Sequence, residues 1–281
     1  MLEMLSIFRK DKKAVLTLII FIGFFVWWWL IHFGHQGNTN HILDWFAGTY
    51  GVIALLGGIW GLRISKKWGG YRSVIGRSVM VFSIGLLFQE FGQLVYAYYA
   101  IVKEVEVPYP SIGDIGFFGS ALFYIYGAAL LAQAAGVKLS LKKLGPKLLA
   151  LALPLILLAT SYFLFLRGYE FDWSKPLTIL LDFGYPFAQA IYIAIALLAL
   201  LLSRKLLGGL MRNKILLIIL ALCAQYAADF NFLFQANRDT WTTAAYGDFL
   251  YAFSYTLMTL ALLNINPDLL KLKSKTSQKE S

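Results

Sequence analysis

Four aspartates recur at nearly equal spacing along the chain, each near the start of an apolar stretch. They are Asp44, Asp114, Asp182 and Asp248, which are 70, 68 and 66 residues apart. Three positions after each of the last three stands an aromatic residue: Phe117, Tyr185 and Tyr251. A carboxylate near a helix start can accept hydrogen bonds from the unpaired backbone amides there, where the helix dipole also favours negative charge. It can equally accept hydrogen bonds from a ligand.

Two further carboxylates, Glu90 and Asp229, lie in the middle of apolar stretches. A carboxylate at such depth in a membrane is costly and usually faces the interior of a helix bundle or a polar cavity. Four amides accompany these acids: Gln89, Gln93, Gln189 and Gln225. One interpretation is a hydrogen-bond network that fixes helix packing. The other is a polar pocket with one or more protonated carboxyl groups, whose ligand-binding residues are these acids and amides, the four spaced aspartates, Tyr185 and Tyr251.

The segment Pro-Ser-Ile-Gly-Asp has the pattern of a helix start. Ser111 is a predicted N-cap, and Asp114 lies three residues later, where the acidic residue of a capping box stands. Capping accounts less well for Asp182, because it lies six residues beyond Pro176, about 9 Å into the predicted helix at 1.5 Å per residue. The sequence leaves open whether the aspartates cap their helices or meet around a cavity.

Residues that could hold a metal ion are few. The three histidines, His32, His35 and His41, are weak candidates, because a metal site needs three or four such ligands with a supporting shell. We expect them to be solvated loop residues. The single cysteine, Cys223, excludes an intrachain disulfide and any cysteine-cluster metal site. The sequence identifies no cofactor.

Transmembrane helices are the elements that must position these residues. The 281 residues are 59% hydrophobic and 14% charged, whereas soluble domains carry about 25% charged residues. Apolar runs long enough to span a bilayer recur along the chain. They predict an all-α polytopic membrane protein with eight spans, at roughly 14–34, 41–63, 74–101, 112–135, 144–166, 176–203, 214–236 and 243–264. This membrane domain, 14–266, lies between a basic segment, 1–13, and a basic tail, 267–281, that we expect to be disordered.

Lysine and arginine fall almost entirely on one side of this arrangement, with 21 of the 25 in the termini and the connections that follow the even-numbered spans. The positive-inside rule therefore predicts a cell-membrane protein with both termini in the cytoplasm and four helical hairpins that turn on the outside. The lipid bilayer is its predicted partner. The net charge of +10 follows from this topology and from anionic lipid, so we expect no nucleic acid partner.

An internal repeat is visible at a longer period. The segment FQEFGQLVY aligns with AQYAADFNF, which pairs Gln89 with Gln225 and Gln93 with Asp229 at an offset of 136 residues. The offset between Asp114 and Asp248 is 134 residues. These offsets predict two halves, roughly 14–136 and 137–266. Because an offset of four spans keeps the orientation in the membrane, the repetition is parallel rather than inverted.

The segment PYPSIGDIGFFGSALFYIYGAALLA resembles part of the N-terminal membrane regions of bacterial and archaeal signalling proteins, where P-S-x-x-D-x-x-[FY] opens a span. YGDFLYAFSYTLMTLAL looks like the same family's last span. The resemblance covers about residues 40–265, and its specific part is 108–131. In the relatives, histidine kinase, diguanylate cyclase or phosphodiesterase domains follow, so the resemblance implies a membrane sensory or regulatory module. We expect no output domain after the last span here, and we expect any signal to pass through a separate signalling protein on the cytoplasmic side.

Three functional hypotheses follow from these patterns. The first is a non-enzymatic module that binds a small or lipid-like ligand in an outward-facing polar pocket and shifts between two helix packings. The second is an intramembrane hydrolase that uses paired carboxylates as general acid and base. KPLTILLD and GDFLY give it a fainter likeness to lysoplasmalogenase-type membrane hydrolases, in an order and spacing that fit poorly. The third is a small transporter with a broken helix at Tyr185–Pro186.

Overall fold

The structure is a computed structural model that describes part of the chain. The described residues are 11–34, 40–137, 142–203, 210–236, 238 and 240–268. Within these ranges the secondary structure is helical, with no strand. Most of the predicted basic N-terminal segment, His35 and nearly all of the predicted tail lie outside the described residues.

The described residues form nine α-helices. They are α1 Lys12–Phe33, α2 Asn40–Thr49, α3 Val52–Lys67, α4 Val74–Ala97, α5 Gly113–Ala134, α6 Leu144–Ser161, α7 Pro176–Ser203, α8 Leu210–Ala236 and α9 Tyr246–Asn264. Short π-helical segments, Tyr98–Lys103 and Tyr162–Leu166, continue α4 and α6, and a 3-10 turn, Gly70–Arg72, precedes α4.

Seven helical segments in the described ranges are long and apolar enough to cross a membrane. They are Lys12–Phe33, His41–Lys67, Val74–Lys103, Gly113–Ala134, Leu144–Leu166, Pro176–Leu202 and Asn213–Ala236. The prediction of an all-helical, multi-pass membrane protein is confirmed at this level. The 19-residue α9 is not among the seven, and several of its polar side chains are buried against other helices: Asp248, Ser254, Thr256 and Thr259.

The helices pack into a bundle with α9 near its centre. α9 contacts α1, α3 and α8, while α4 lies between α3 and α5, and α7 contacts α5, α6 and α8. Large side chains fill the middle of the bundle, including Phe82, Tyr124, Tyr192 and Tyr255, each almost fully buried. By contrast, α1 and α6 bury few of their side chains. Their exposed apolar faces suit contact with lipid tails rather than water.

Helices α4 and α5 approach each other closely. A Cβ atom on Gly116 would lie 2.5 Å from the backbone oxygen of Phe88 and 2.6 Å from the backbone nitrogen of Gly92. Glycine is therefore required at position 116 for the two backbones to pack this tightly. Small residues of this kind are what allow transmembrane helices to approach closely, since lipid tails supply no hydrophobic force between them.

The second apolar segment is interrupted at Tyr50–Gly51, between α2 and α3. Gln93 of α4 donates a hydrogen bond of 3.1 Å to the backbone oxygen of Ala47, and Thr49 donates one of 2.6 Å to the backbone oxygen of Trp45. Gly51 itself keeps helical dihedral angles, with φ of −59° and ψ of −18°, so the interruption is a local change in helical hydrogen bonding that other groups help to satisfy.

A side chain other than hydrogen at position 51 would collide with α4, since a Cβ atom there would meet the carboxyl group of Glu90 and the side chain of Gln93. In contrast, α7 runs as one helix from Pro176 to Ser203 with Pro186 inside it. The broken helix predicted at Tyr185–Pro186 is thus wrong, and the interruption lies in the second segment instead.

Candidate functional site

A cavity of about 1220 Å³ lies at one end of the bundle, where α2, α5, α7 and α9 begin and where α4, α6 and α8 end. We call it the acidic cavity, because seven of its lining residues carry carboxyl groups. These are Asp44, Glu104, Glu106, Asp114, Asp182, Asp229 and Asp248. Eight tyrosines also line it: Tyr50, Tyr96, Tyr109, Tyr124, Tyr169, Tyr185, Tyr251 and Tyr255.

Asp114 both caps its own helix and binds another helix. One carboxyl oxygen, Oδ2, accepts a 2.7 Å hydrogen bond from the backbone N–H of Ser111, while the Ser111 hydroxyl oxygen accepts one of 3.1 Å from the backbone N–H of Gly113. These bonds resemble those of a capping box, but Ile112 is the N-cap of α5, so the prediction that Ser111 is the N-cap is wrong by one residue. The other oxygen, Oδ1, accepts a 2.7 Å bond from the Tyr185 hydroxyl. Asp114 thereby joins the start of α5 to α7.

Asp248, at the start of α9, also uses one carboxyl oxygen for a backbone amide nearby and the other for a tyrosine. Its Oδ2 accepts a 2.7 Å hydrogen bond from the backbone N–H of Ala244, and its Oδ1 accepts one of 3.0 Å from the Tyr50 hydroxyl. Ala244 has a positive φ of 59°, a backbone conformation that is strained for a residue other than glycine. The Asp248 carboxyl group therefore stabilises a strained turn on one side and the interruption between α2 and α3 on the other.

Asp182 has no capping bond to its own helix. Its two oxygens accept hydrogen bonds of 2.7 Å each from the hydroxyl groups of Tyr109 and Tyr169, which lie on two separate connections. Burial and the hydrogen bond to Asp182 raise the pKa of Tyr169 to about 12. The same two causes raise the pKa of Tyr109 above its ordinary value. Both hydroxyl groups therefore stay protonated and able to donate at neutral pH.

Asp229 lies deeper, on α8, and is held by two neighbours. The Tyr192 hydroxyl of α7 donates a 2.9 Å hydrogen bond to Oδ2, and the Gln225 amide donates one of 2.9 Å to Oδ1. Tyr251 of α9 lies near the same carboxyl group. Gln225 accepts a 2.7 Å bond from the Ser254 hydroxyl. Gln225 thus lies behind the cavity wall and positions Asp229, instead of lining the cavity as predicted.

Gln89 and Gln93 of α4 line the cavity and bind adjacent helices. Gln89 donates a 2.7 Å hydrogen bond to the Ser120 hydroxyl of α5 and accepts one of 2.8 Å from the Tyr255 hydroxyl of α9. Gln93 binds the backbone oxygen of Ala47. The polar groups of four different helices are in this way connected around the cavity.

Glu90 does not line the cavity. It is 7% exposed, and its Oε2 atom is buried with no hydrogen-bond partner in the described part of the chain. The carboxyl group packs against Gly51, at the interruption between α2 and α3. The sequence reveals the depth of Glu90 but not its direction, which depends on how α4 is rotated against α3.

Two buried polar side chains face the cavity unpartnered. Gln189 is 5% exposed and Tyr124 is 1% exposed, and both line the cavity. Neither side chain makes a hydrogen bond to another residue that the structure describes. Asp44 at the start of α2 likewise makes no hydrogen bond within the described chain, and it lines the cavity. These groups are free to bind the contents of the cavity.

Two of the three histidines, His32 and His41, lie in the described part of the chain. His32 contacts the backbone oxygen of Trp28 at 3.0 Å, and His41 is exposed, 3.9 Å from Glu104. Among the described residues, no three histidine, cysteine or acidic side chains are placed to hold one metal ion. His35 lies outside the described ranges.

The arrangement offers hydrogen-bond acceptors and aromatic rings rather than paired carboxyl groups. Within the described chain, no hydrogen bond joins one carboxyl group of the cavity to another, because tyrosine hydroxyl groups lie between them. Sequence reasoning missed three of these tyrosines: Tyr50, Tyr109 and Tyr169. Their separation from their partners, by 198 residues for Tyr50 and Asp248, leaves no local pattern. Comparison with family models, with curated proteins and with solved structures finds no match to this chain.

Proposed function

We propose that this chain is a membrane sensory or regulatory module that binds a small ligand in the acidic cavity and signals through a separate partner protein. The observation that carries the proposal is the cavity of about 1220 Å³ with two buried, unpartnered polar side chains, Gln189 and Tyr124, on its wall. Binding pockets for small molecules typically combine such a volume with aromatic walls and a few convergent polar groups.

We also propose that the chain crosses the membrane eight times, with α9 as the eighth span, and that both termini lie in the cytoplasm. The distribution of lysine and arginine supports this orientation. In this orientation the cavity opens to the outside. The connections that form its rim, 104–111 and 241–243, lie at one end of the bundle, and the contacts of Lys67 with Asp268 and of Trp68 with Ile265 lie at the opposite end.

A parallel repeat of helical hairpins is also part of the proposal, and matched contacts support it. Gln89 donates to the Ser120 hydroxyl between α4 and α5, and Gln225 accepts from the Ser254 hydroxyl between α8 and α9. The two serines each also donate to the backbone oxygen three residues earlier, at 2.7 and 3.0 Å. Asp114 and Asp248, at the same offset as the serines, share their capping arrangement.

The signalling mechanism follows from how the cavity acids connect the helices. Tyr185 and Asp114 join α7 to α5, and Tyr192 and Asp229 join α7 to α8. A ligand that replaces one of these hydroxyl donors loosens one helix contact and tightens another. Such a ligand shifts the population of two packings only by its difference in affinity for them. The partner protein then responds to helix positions at the cytoplasmic end.

A transporter is the second candidate, favoured by the interruption at Tyr50–Gly51. Discontinuous helices commonly form the substrate sites of secondary transporters. Tyr50 lines the cavity, and the unpartnered carboxyl group of Glu90 lies directly behind the interruption. A hydrolase is less well supported, because the cavity carboxyl groups bind tyrosines and do not form an acid–base pair with one another.

Native mass spectrometry of the intact chain, purified in lipid nanodiscs, tests ligand binding. We expect a bound small molecule in the wild type and a reduced occupancy in the Gln189→Leu variant, which removes an unpartnered amide from the cavity wall. Tyr126→Phe is the matched control, because Tyr126 is 46% exposed and does not line the cavity.

Equal occupancy in all three proteins, or no bound molecule in any of them, would count against the proposal. Reconstitution into vesicles separates the two candidate functions. A sensor binds its ligand without moving it across the bilayer, whereas a transporter accumulates the bound molecule inside the vesicles.

A further inference from the structure

The wall of the acidic cavity carries a strongly unbalanced charge. Its seven carboxyl groups face one histidine, His41, and no lysine or arginine is among the described residues that line it. The whole chain, by contrast, has a net charge of +10. Clefts with one sign of charge and low-dielectric walls focus the electric field and concentrate ions of the opposite sign. A wall of this composition favours cations over anions.

Apart from this charge, two buried polar side chains of the cavity wall have no hydrogen-bond partner among the described residues. Gln189 and Tyr124 are each at least nine-tenths buried, line the cavity and make no hydrogen bond to another described residue. Buried polar groups in proteins are almost always hydrogen bonded. The partner of these two side chains must therefore come from what fills the cavity, and both can accept from an N–H donor.

The aspartates themselves have acceptor capacity to spare. An ionised carboxylate accepts about four hydrogen bonds. Asp182 receives one from each of two tyrosines, and Asp114 and Asp248 each receive one from a tyrosine and one from a backbone amide nearby. The tyrosine rings between these acids add surfaces that attract cationic nitrogen atoms.

The acids are dispersed rather than gathered. Those on helices belong to five of them: Asp44 to α2, Asp114 to α5, Asp182 to α7, Asp229 to α8 and Asp248 to α9. No three of the described acidic, histidine or cysteine residues are placed to hold one metal ion. Several separate anionic positions across about 1220 Å³ match a molecule that carries several positive charges joined by apolar carbon atoms.

We infer that the ligand of the acidic cavity is an organic polyamine, whose protonated nitrogens bind separate aspartates and whose methylene groups lie on the tyrosine rings. This inference rests on the proposed function and names the ligand class of the same cavity. Each nitrogen pairs with a different carboxyl group, and the amide of Gln189 or the hydroxyl of Tyr124 accepts a further N–H bond.

Thermal unfolding of the full-length protein in nanodiscs tests this inference. The probes are spermidine, triethylene glycol as a neutral molecule of similar length, citrate as an anion, and magnesium chloride, all at one ionic strength because salt screens charge. A ligand that binds only the folded state raises the melting temperature in proportion to its occupancy. We expect spermidine to raise it by several degrees, with no comparable shift from the other three.

Variants assign the shift to the cavity. Asp182→Asn is expected to weaken spermidine binding by about tenfold or more. Because Asp182 also binds two tyrosines, Asp44→Asn serves as a second variant that has no hydrogen bond to another described residue to lose. Asp172→Asn is the matched control: Asp172 is an exposed acid bonded to Ser174, and it does not line the cavity. The control is expected to bind spermidine as the wild type does.

A shift that is equal in the wild type and in both cavity variants would place spermidine on the membrane surface and overturn the inference. A shift by triethylene glycol or citrate that Asp182→Asn abolishes, with none by spermidine, overturns the polyamine while leaving the proposed binding function standing. If no probe shifts the melting temperature and native mass spectrometry finds no bound molecule, both are overturned.

Discussion

Asp114 and Asp248 each divide their two carboxyl oxygens between a backbone amide nearby and a tyrosine of another part of the bundle. Helix capping and convergence on a cavity are therefore compatible at these two positions. Asp182 gives both oxygens to tyrosines. At the scale of single residues, the carboxylate–tyrosine contact is the repeated unit from which the acidic cavity is built.

Removal of one such contact should destabilise the protein measurably. Tyr185→Phe deletes the hydroxyl that donates to Asp114 and leaves the capping bond in place. We expect a loss of about 0.5 to 1.5 kcal/mol, the net contribution of a typical hydrogen bond within a protein. Thermal unfolding in nanodiscs measures it, and Tyr126→Phe on exposed α5 surface is the control. Equal melting temperatures for both variants would show that the Asp114 contact adds nothing.

The pKa of Tyr169 gives a prediction about pH. Burial and the hydrogen bond to Asp182 raise this pKa from 10 to about 12. The folded state therefore holds the proton more tightly than the unfolded state, so the stabilisation from this hydroxyl is complete below pH 10 and is lost as pH rises through 12. The difference in tyrosinate absorbance between the wild type and the Tyr169→Phe variant reports the ionisation of Tyr169. We expect this difference to titrate with a midpoint near pH 12. We expect Asp182→Asn to lower that value, and titration near 10 in the wild type would refute the contact.

At the scale of helices, the tight packing of α4 against α5 positions Gln89 and Asp114 on facing parts of the wall. Gly116→Ala should disrupt it, because the new methyl group would lie 2.5 Å from the Phe88 backbone oxygen. Overpacking of this kind costs about 1 to 3 kcal/mol. Gly23→Ala on α1 is the matched control, with nothing within 4 Å of the added methyl group. It should be neutral or stabilising, and a similar loss in both variants would argue against close packing.

The sequence predicts the apolar helices well but not their interruption. Hydropathy marks seven long helices within a few residues of the predicted bounds, because each must cover the bilayer with apolar side chains. The turn at Tyr50–Gly51 leaves no such mark, since its stability comes from Gln93 on another helix. Likewise Pro186, the expected breaker, is accommodated inside α7.

The sequence identified the acids of the candidate site and Tyr185, the partner of Asp114, but not the tyrosines Tyr50, Tyr109 and Tyr169. Equal spacing and membrane depth single out the aspartates, because a carboxyl group in an apolar stretch needs a reason to be there. The tyrosines that bind Asp182 lie 73 and 13 residues away on loops, where neither spacing nor hydropathy relates them to it. The orientation of α4 about its axis places Gln93 on the cavity wall and Glu90 behind it. The orientation of α8 likewise places Asp229 on the wall and Gln225 behind it.

For the whole molecule, the charges divide between two ends. The acidic cavity occupies one end of the bundle, and described basic residues such as Lys12, Lys67 and Lys147 lie at the helix ends away from it. This polarity is what the positive-inside rule requires of a protein that presents the cavity outward. In the proposed orientation, such a cavity would meet solutes outside the cell, and the opposite end would face the proposed partner in the cytoplasm.

The most direct test of this account labels the cavity from outside the cell. In a Cys223→Ser background, Ala121→Cys places a thiol on the cavity wall and Ser174→Cys places one on an exposed connection at the same end. Two membrane-impermeant methanethiosulfonates, one cationic and one anionic, are applied to intact cells.

We predict that both thiols react from outside, and that the ratio of cationic to anionic labelling rates at position 121 exceeds the ratio at 174 by about tenfold or more, because the carboxylates concentrate cations in the cavity. Labelling at position 121 only after permeabilisation would contradict the outward orientation. A ratio equal to that at position 174 would contradict the acidic, cation-selective character of the cavity.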